Sequence, residues 1–159
     1  MNSTIKVLVG NLFKKFGIII SSDKNFPKAN WHSFFNKLKN INFSPEILLD
    51  IGANKASWSK EATSFFPNAN YVLVEPQIEL NHYLSSFCKK HTHAMFLNNG
   101  VGKKVEEKLF TINSDTVSSS FNTPSEIIEK NNLEQRLIKM TTINDIIHDY
   151  LDGKYPDII

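Results

Sequence analysis

The sequence predicts an α/β protein built on a doubly wound, mostly parallel sheet. Three observations carry this. The runs Ile47-Leu48-Leu49-Asp50-Ile51 and Tyr71-Val72-Leu73-Val74 are apolar almost throughout rather than alternating, as strands buried on both faces are. Each is followed by residues at helical spacing. The order strand, turn, helix, strand, helix, strand then makes two consecutive βαβ units, which require parallel pairing and right-handed crossovers.

Size and composition fit that class. At 159 residues the chain accommodates one domain with a real core. No apolar run approaches the roughly 18–20 residues that cross a bilayer. The stretch from Ile5 to Ile20 is interrupted by Lys6, Lys14 and Lys15 and lacks a small-residue cleavage site, so it reads as neither signal peptide nor membrane span. The single cysteine, Cys88, excludes an internal disulfide and a multi-cysteine metal site. A cytoplasmic enzyme is expected. Residues 1–45 carry seven lysines against Asp23 alone, a net of +6, and the remainder carries −4. The lysines are scattered and few aromatics interleave with them, so a solvated helical face is expected rather than a nucleic-acid surface.

The elements follow in order. Residues 1–44 predict a helical N-terminal extension, with Ile5, Leu8, Val9, Leu12 and Phe16 on one stripe. Trp31, Phe34, Phe35 and Leu38 form a second stripe, after a break at Asn25-Phe26-Pro27. The α/β domain is expected over 45–159. After the first strand, Gly52-Ala53-Asn54 turns into a helix marked by Trp58, Ala62, Phe65 and Phe66 and stopped by Pro67. The second strand ends at Glu75-Pro76, and Leu80, Tyr83, Leu84 and Phe87 mark the next helix. A third strand is expected at 94–97. Further strands are expected at 108–112 and 136–141, with a short helix at 125–130 between them. Thr142 with Asp145 predicts a capping box opening a helix with Ile143, Ile146, Ile147, Tyr150 and Leu151 on its stripe, ended by Gly153.

The functional signal lies at the carboxyl ends of the first two strands, where ligands sit in open α/β sheets. Gly52 permits close backbone approach. Glu75 lies 23 residues beyond Gly52 and ends the next strand, placed to accept both ribose hydroxyls of an adenosine-containing cofactor. A dinucleotide calls for a glycine-rich turn whose amides meet a pyrophosphate, and this loop has one of those glycines. Asp50 adds negative charge there. That charge disfavours a pyrophosphate and suits a cationic, phosphate-free cofactor such as S-adenosylmethionine.

The motifs D-I-G-A-N-x-x-x-W-S from Asp50, F-P-N-A-x-Y from Phe66 and V-E-P-Q from Val74 resemble those of the FkbM-type methyltransferases. The resemblance extends through Asn98-Asn99-Gly100-Val101-Gly102, the serines 118–120 and Thr141 to Asp145. It implies a Rossmann-like class I methyltransferase domain that transfers a methyl group from S-adenosylmethionine to a hydroxyl of a sugar or natural product. By position it implies that Gly52, Ala53 and Asn54 line the methionine end, with Asp50 facing it. It further implies that Glu75-Pro76 meets the ribose and that Asn99, Gly100 and Val101, ending the third strand, lie near the adenine. Ser119 and Ser120 match a serine pair of the family.

Two departures stand out. Ala56 occupies a position where the family shows glycine, so a methyl group is expected to crowd the loop if φ is positive there. The family also continues past Pro156-Asp157-Ile158-Ile159 with further active-site residues. The domain is therefore expected to be truncated, with the edge of the first strand open. No catalytic base is identified. His82, His91, His93 and His148 qualify by type alone, His91 and His93 lack a third ligand for a metal site, and Cys88 reads as packing.

Overall fold

The computed structural model describes residues 30–159. The predicted stripe from Ile5 to Phe16 lies outside them. The first described helix, α1 (Trp31–Asn40), buries Phe35 completely. It ends where Asn42 adopts a left-handed conformation (φ 57) and Phe43 N donates to Leu38 O at 3.0 Å.

The two βαβ units are present. Strands β1 (Ile47–Ile51), β2 (Asn70–Val74) and β3 (Ala94–Leu97) pair in parallel with β2 in the middle. Helices α2 (Ser57–Phe65) and α3 (Asn81–Lys90) make the crossovers. Continuous apolar runs are what the packing demands, because both faces of this sheet are covered. One face packs Leu48, Tyr71 and Leu73 against Phe35, Ala62, Leu84 and Phe87. The other packs Ile47, Leu49, Val72 and Val74 against Ile146, Ile147 and Leu151. Tyr71, buried in the first layer, donates its hydroxyl to Phe66 O at 2.9 Å.

The expected open edge of β1 is partly closed. Leu48 pairs in parallel with Ile158, Leu49 N donates to Ile158 O and Asp157 N donates to Ile47 O, both at 2.9 Å. The Asp157 carboxylate also accepts from Glu46 N and Ile47 N at 2.8 and 3.0 Å. Only the far end, Ile51, is left 40% exposed.

A second small sheet follows. Strands β4 (Gly100–Val101), β5 (Glu107–Ile112) and β6 (Glu134–Thr141) place β6 in the centre, parallel to β4 and antiparallel to β5. Helix α4 (Ser125–Asn131) connects β5 to β6. The residues 99–101 thus do not end the third strand, as the sequence suggested. The chain leaves β3 at Leu97, and Gly100 pairs with Met140 instead. A Cβ at Gly100 would collide with Met140 and with the Phe121 ring, so this approach requires glycine. Helix α5 (Ile143–Tyr150) opens with the predicted capping box. Thr142 Oγ1 accepts from Asp145 N at 3.1 Å, and Asp145 Oδ2 accepts from Thr142 N at 3.2 Å. Beyond it, Gly153 at φ 77 donates its N–H to Ile147 O.

Among the described residues, no helix is long and apolar enough to cross a membrane.

Candidate functional site

The turn after β1 is built almost entirely on β2. Gly52 (φ 77), Asn54 (φ 48) and Ala56 (φ 57) are all left-handed, which curls the backbone tightly before α2 begins. That curl aims successive amides at the end of the neighbouring strand. Gly52 N and Ala53 N donate to Val74 O at 2.8 and 3.1 Å, and Asn54 N donates to Glu75 Oε2 at 2.8 Å. A non-glycine residue in this region costs about 1 kcal/mol or more. Three amide bonds to one strand end offset that cost. Ala56 does have the positive φ at which a side chain is strained, and it is fully buried in the core cluster that includes Phe35 and Ala62.

A cavity of about 340 Å³ opens over these strand ends. Ile51, Gly52 and Asn54 form one wall, Val74 to Gln77 the floor, and Asn99, Gly100 and Val101 the opposite wall. Phe110, Thr116, Val117 and the residues 119–122 complete its lining. Seven of the nine sequence-predicted site residues therefore meet at one place: Gly52, Asn54, Glu75, Pro76, Asn99, Gly100 and Val101. Ala53 does not line it, because its side chain belongs to the core between α2 and the sheet. Asp50 does not line it either. Alternation along β1 turns Asp50 to the same face as Leu48, where it borders a separate cavity of about 510 Å³ with Trp31, Phe34, Trp58 and Ile158. Ile51 and Gly52 border both cavities.

Glu75 is 3% exposed, and its carboxylate is held from three directions. Oε2 accepts from Asn54 N, while Oε1 accepts from Gln77 N at 3.0 Å and from Gln77 Nε2 at 3.1 Å. A carboxylate has about four acceptor positions, so one is left for a ligand. The two hydroxyls expected from the sequence meet a single open position. Asn98 locks the same strand end by donating to Glu75 O at 3.1 Å and pairing with Asn81 on α3. Asn99 Nδ2 donates to Lys139 O on β6, which fixes the opposite wall.

Asp50 has one side-chain partner, the buried Ser59 hydroxyl, which donates to Oδ2 at 2.6 Å. Burial holds its carboxyl above the usual range although the Ser59 bond pulls the other way.

Sequence reasoning missed Gln77 as a site residue and left Ser119 without a role. Gln77 is 4% exposed; its Nε2 also donates to Thr116 O at 2.9 Å, and its Oε1 accepts from Ser119 Oγ at 3.0 Å. The available signal was a polar side chain two positions past a strand-end acid. Cys88 is half-buried against the core, and burial pushes its thiol up, consistent with packing. His148 is exposed beside Asp149, which raises its pKa. His82 bonds Glu79 O and His91 stacks near Phe87, both away from the cavity. Among the described residues, no three metal-binding side chains cluster.

Methyltransferases are among the solved structures that the chain is similar to. The precorrin-6y C5,15-methyltransferase of Geobacter metallireducens GS-15 matches 49% of this chain at 21% identity with a TM-score of 0.33. The methyltransferase FkbM of Methylobacillus flagellatus KT matches 65% of it at 15% identity with a TM-score of 0.42. The match spans 42% of the first protein and 23% of the second, less than half of either. No family model matches the chain, and no curated protein does.

Proposed function

We propose that the chain carries the cofactor site of an S-adenosylmethionine-dependent methyltransferase whose acceptor is a hydroxyl of a sugar or natural product. One observation carries the choice of cofactor. The turn amides that a dinucleotide enzyme would offer to a pyrophosphate are already bonded here, those of Gly52 and Ala53 to Val74 O and that of Asn54 to Glu75. The floor of the cavity is a buried carboxylate, which repels phosphate and accepts hydroxyls.

The residues present fit a phosphate-free adenosine cofactor. The open acceptor position of Glu75 takes a ribose hydroxyl. Val101 and Phe110 offer apolar surface to a base. No atom lies within 4 Å of where a Gly52 Cβ would stand, so the backbone is open to close approach. Asp50 takes the cationic amino end from the adjoining cavity, across Gly52. When bound, the cofactor supplies a methyl group on a positively charged sulfur. The protein's part in such a displacement is positioning and the exclusion of water.

Calorimetric titration with S-adenosylhomocysteine, with NAD as the control, tests this reading. Saturable binding of the former and none of the latter is expected. In Glu75→Gln, with circular dichroism unchanged, affinity should fall at least about tenfold, the loss of one hydrogen bond to a charged group. NAD binding in preference to S-adenosylhomocysteine would overturn it, as would binding that Glu75→Gln leaves intact.

A further inference from the structure

The loop between β5 and α4 is tied to the cavity floor by side chains that no local pattern links. Thr116, itself left-handed at φ 59, presents its carbonyl to two donors at once: Gln77 Nε2 at 2.9 Å and Asn54 Nδ2 at 3.3 Å. Asn54 Nδ2 also lies 3.4 Å from Thr116 Oγ1. Ser119 Oγ donates to Gln77 Oε1 and accepts from Asn113 N at 2.9 Å. Both protons of the Gln77 amide are thus engaged, one by Glu75 and one by the loop, and its oxygen is engaged by the loop as well.

Resting on the cofactor site proposed above, we infer that Gln77 is a positioning residue which acts through Glu75. It aims the carboxylate so that its one open acceptor faces the cavity, and it latches the loop 113–120 over the bound ribose. The amide is suited to this because it donates to a carboxylate and a carbonyl while accepting from a hydroxyl. A carboxyl of the same shape has at most one proton to give.

That asymmetry supplies the test. In Gln77→Ala, affinity for S-adenosylhomocysteine should fall about tenfold at every pH, because a hydrogen bond to a charged group is lost. In Gln77→Glu the new carboxyl would be buried against Glu75, and both burial and like charge favour its protonated form. The other titratable groups nearby are Asp50, whose carboxyl feels the charge of Glu75, Asp115, bonded to Ser118, and Glu79, paired with Arg136 of β6. Affinity in Gln77→Glu should therefore be weakest at pH 8 and recover toward the parent value as pH falls to about 5.5. The recovery comes as one proton returns to bridge Glu75 or Thr116. Ser119→Ala, on the surface loop, should give a smaller, pH-independent loss.

Hydrogen exchange without any ligand separates the latch from the cofactor reading. The amides of Asn113, Thr116, Ser118 and Ser120 are all bonded within or beside the loop. They should exchange several-fold faster in Gln77→Ala and Ser119→Ala, with the core strands unchanged. Unchanged loop exchange in both variants would overturn the latch, and a pH-flat Gln77→Glu affinity would overturn the aiming of Glu75. Absence of S-adenosylhomocysteine binding in the parent chain would instead overturn the cofactor reading and with it the aiming role, while the exchange result would still decide the latch.

Discussion

Phe35 is the sharpest test of whether the helix before β1 is part of the core or merely laid against it. Its side chain is fully buried. Its ring lies 5.3 Å from Phe34 and Trp58, 5.8 Å from Phe65 and 6.0 Å from Phe66, mostly edge to face. Replacing a fully buried phenylalanine by alanine costs about 3–5 kcal/mol, as lost transfer energy plus the residual cavity. Four ring partners, each contributing about 0.5–1.5 kcal/mol beyond area burial, put this site toward the upper end. Against a typical total of about 5–15 kcal/mol, the change removes a large share of the stability. For a domain of this size it should lower Tm by about 8–15 °C. Urea denaturation followed by fluorescence of Trp31 and Trp58, with thermal scans by circular dichroism, reads the effect. Phe35→Leu should lose about 1–1.5 kcal/mol under the same conditions, since it keeps most of the volume. A loss below about 1 kcal/mol in Phe35→Ala would refute the reasoning, because it would mean that α1 can leave without exposing a core.

Other expectations follow from single contacts. Ser59→Ala leaves the buried Asp50 carboxylate without its side-chain donor and should cost about 1.5–3 kcal/mol at pH 8. Because the folded Asp50 pKa lies above the ordinary 3.8, the folded state favours the protonated form. The contribution of Asp50 to stability is greatest below 3.8 and is lost as pH rises through the raised value, so the Ser59→Ala deficit should shrink between pH 8 and pH 4 in urea titrations; a constant deficit would contradict it. Gly100→Ala should cost about 1–3 kcal/mol through forced movement of Met140 and Phe121. The same substitution at Gly52 meets no atom and should cost only about 1 kcal/mol of backbone strain, so equal thermal shifts for the two would count against this packing.

The parts of the fold legible in the sequence are those whose cause is local. Ile47 to Ile51 and Tyr71 to Val74 read as doubly buried strands because both faces are in fact covered, and Thr142 with Asp145 read as a helix start because the box closes within three residues. The second sheet was legible as strands but not as pairing. Leu109 and Leu137 stand opposite one another and both face outward, so their hydrophobicity carries no inward signal. Gly100 and Val101 became a strand only because β6 lies beside them. The site was legible where strand ends define it, as at Gly52 and Glu75. Asp50 borders the adjoining cavity rather than this one because alternation along β1 sends neighbouring side chains to opposite faces. Gln77 and Thr116 lie 39 residues apart, and bonds of that span leave no periodicity to read.

The pairing of β1 with Ile158 also bears on how the chain comes off the ribosome. β1 meets β2 after the single crossover through α2, but its other neighbour lies 110 residues downstream, where Asp157 reaches back to Ile47. Closing that span costs about 1.4 kcal/mol more in chain entropy than closing the β1–β2 crossover. During synthesis, the β1–β2–β3 unit is therefore complete on one side while the amides of Glu46, Ile47 and Leu49 still await acceptors. For the seconds needed to make the rest, at about 5–20 residues per second, that strand is an unpaired edge. Any partner that shields nascent β1 acts within that interval.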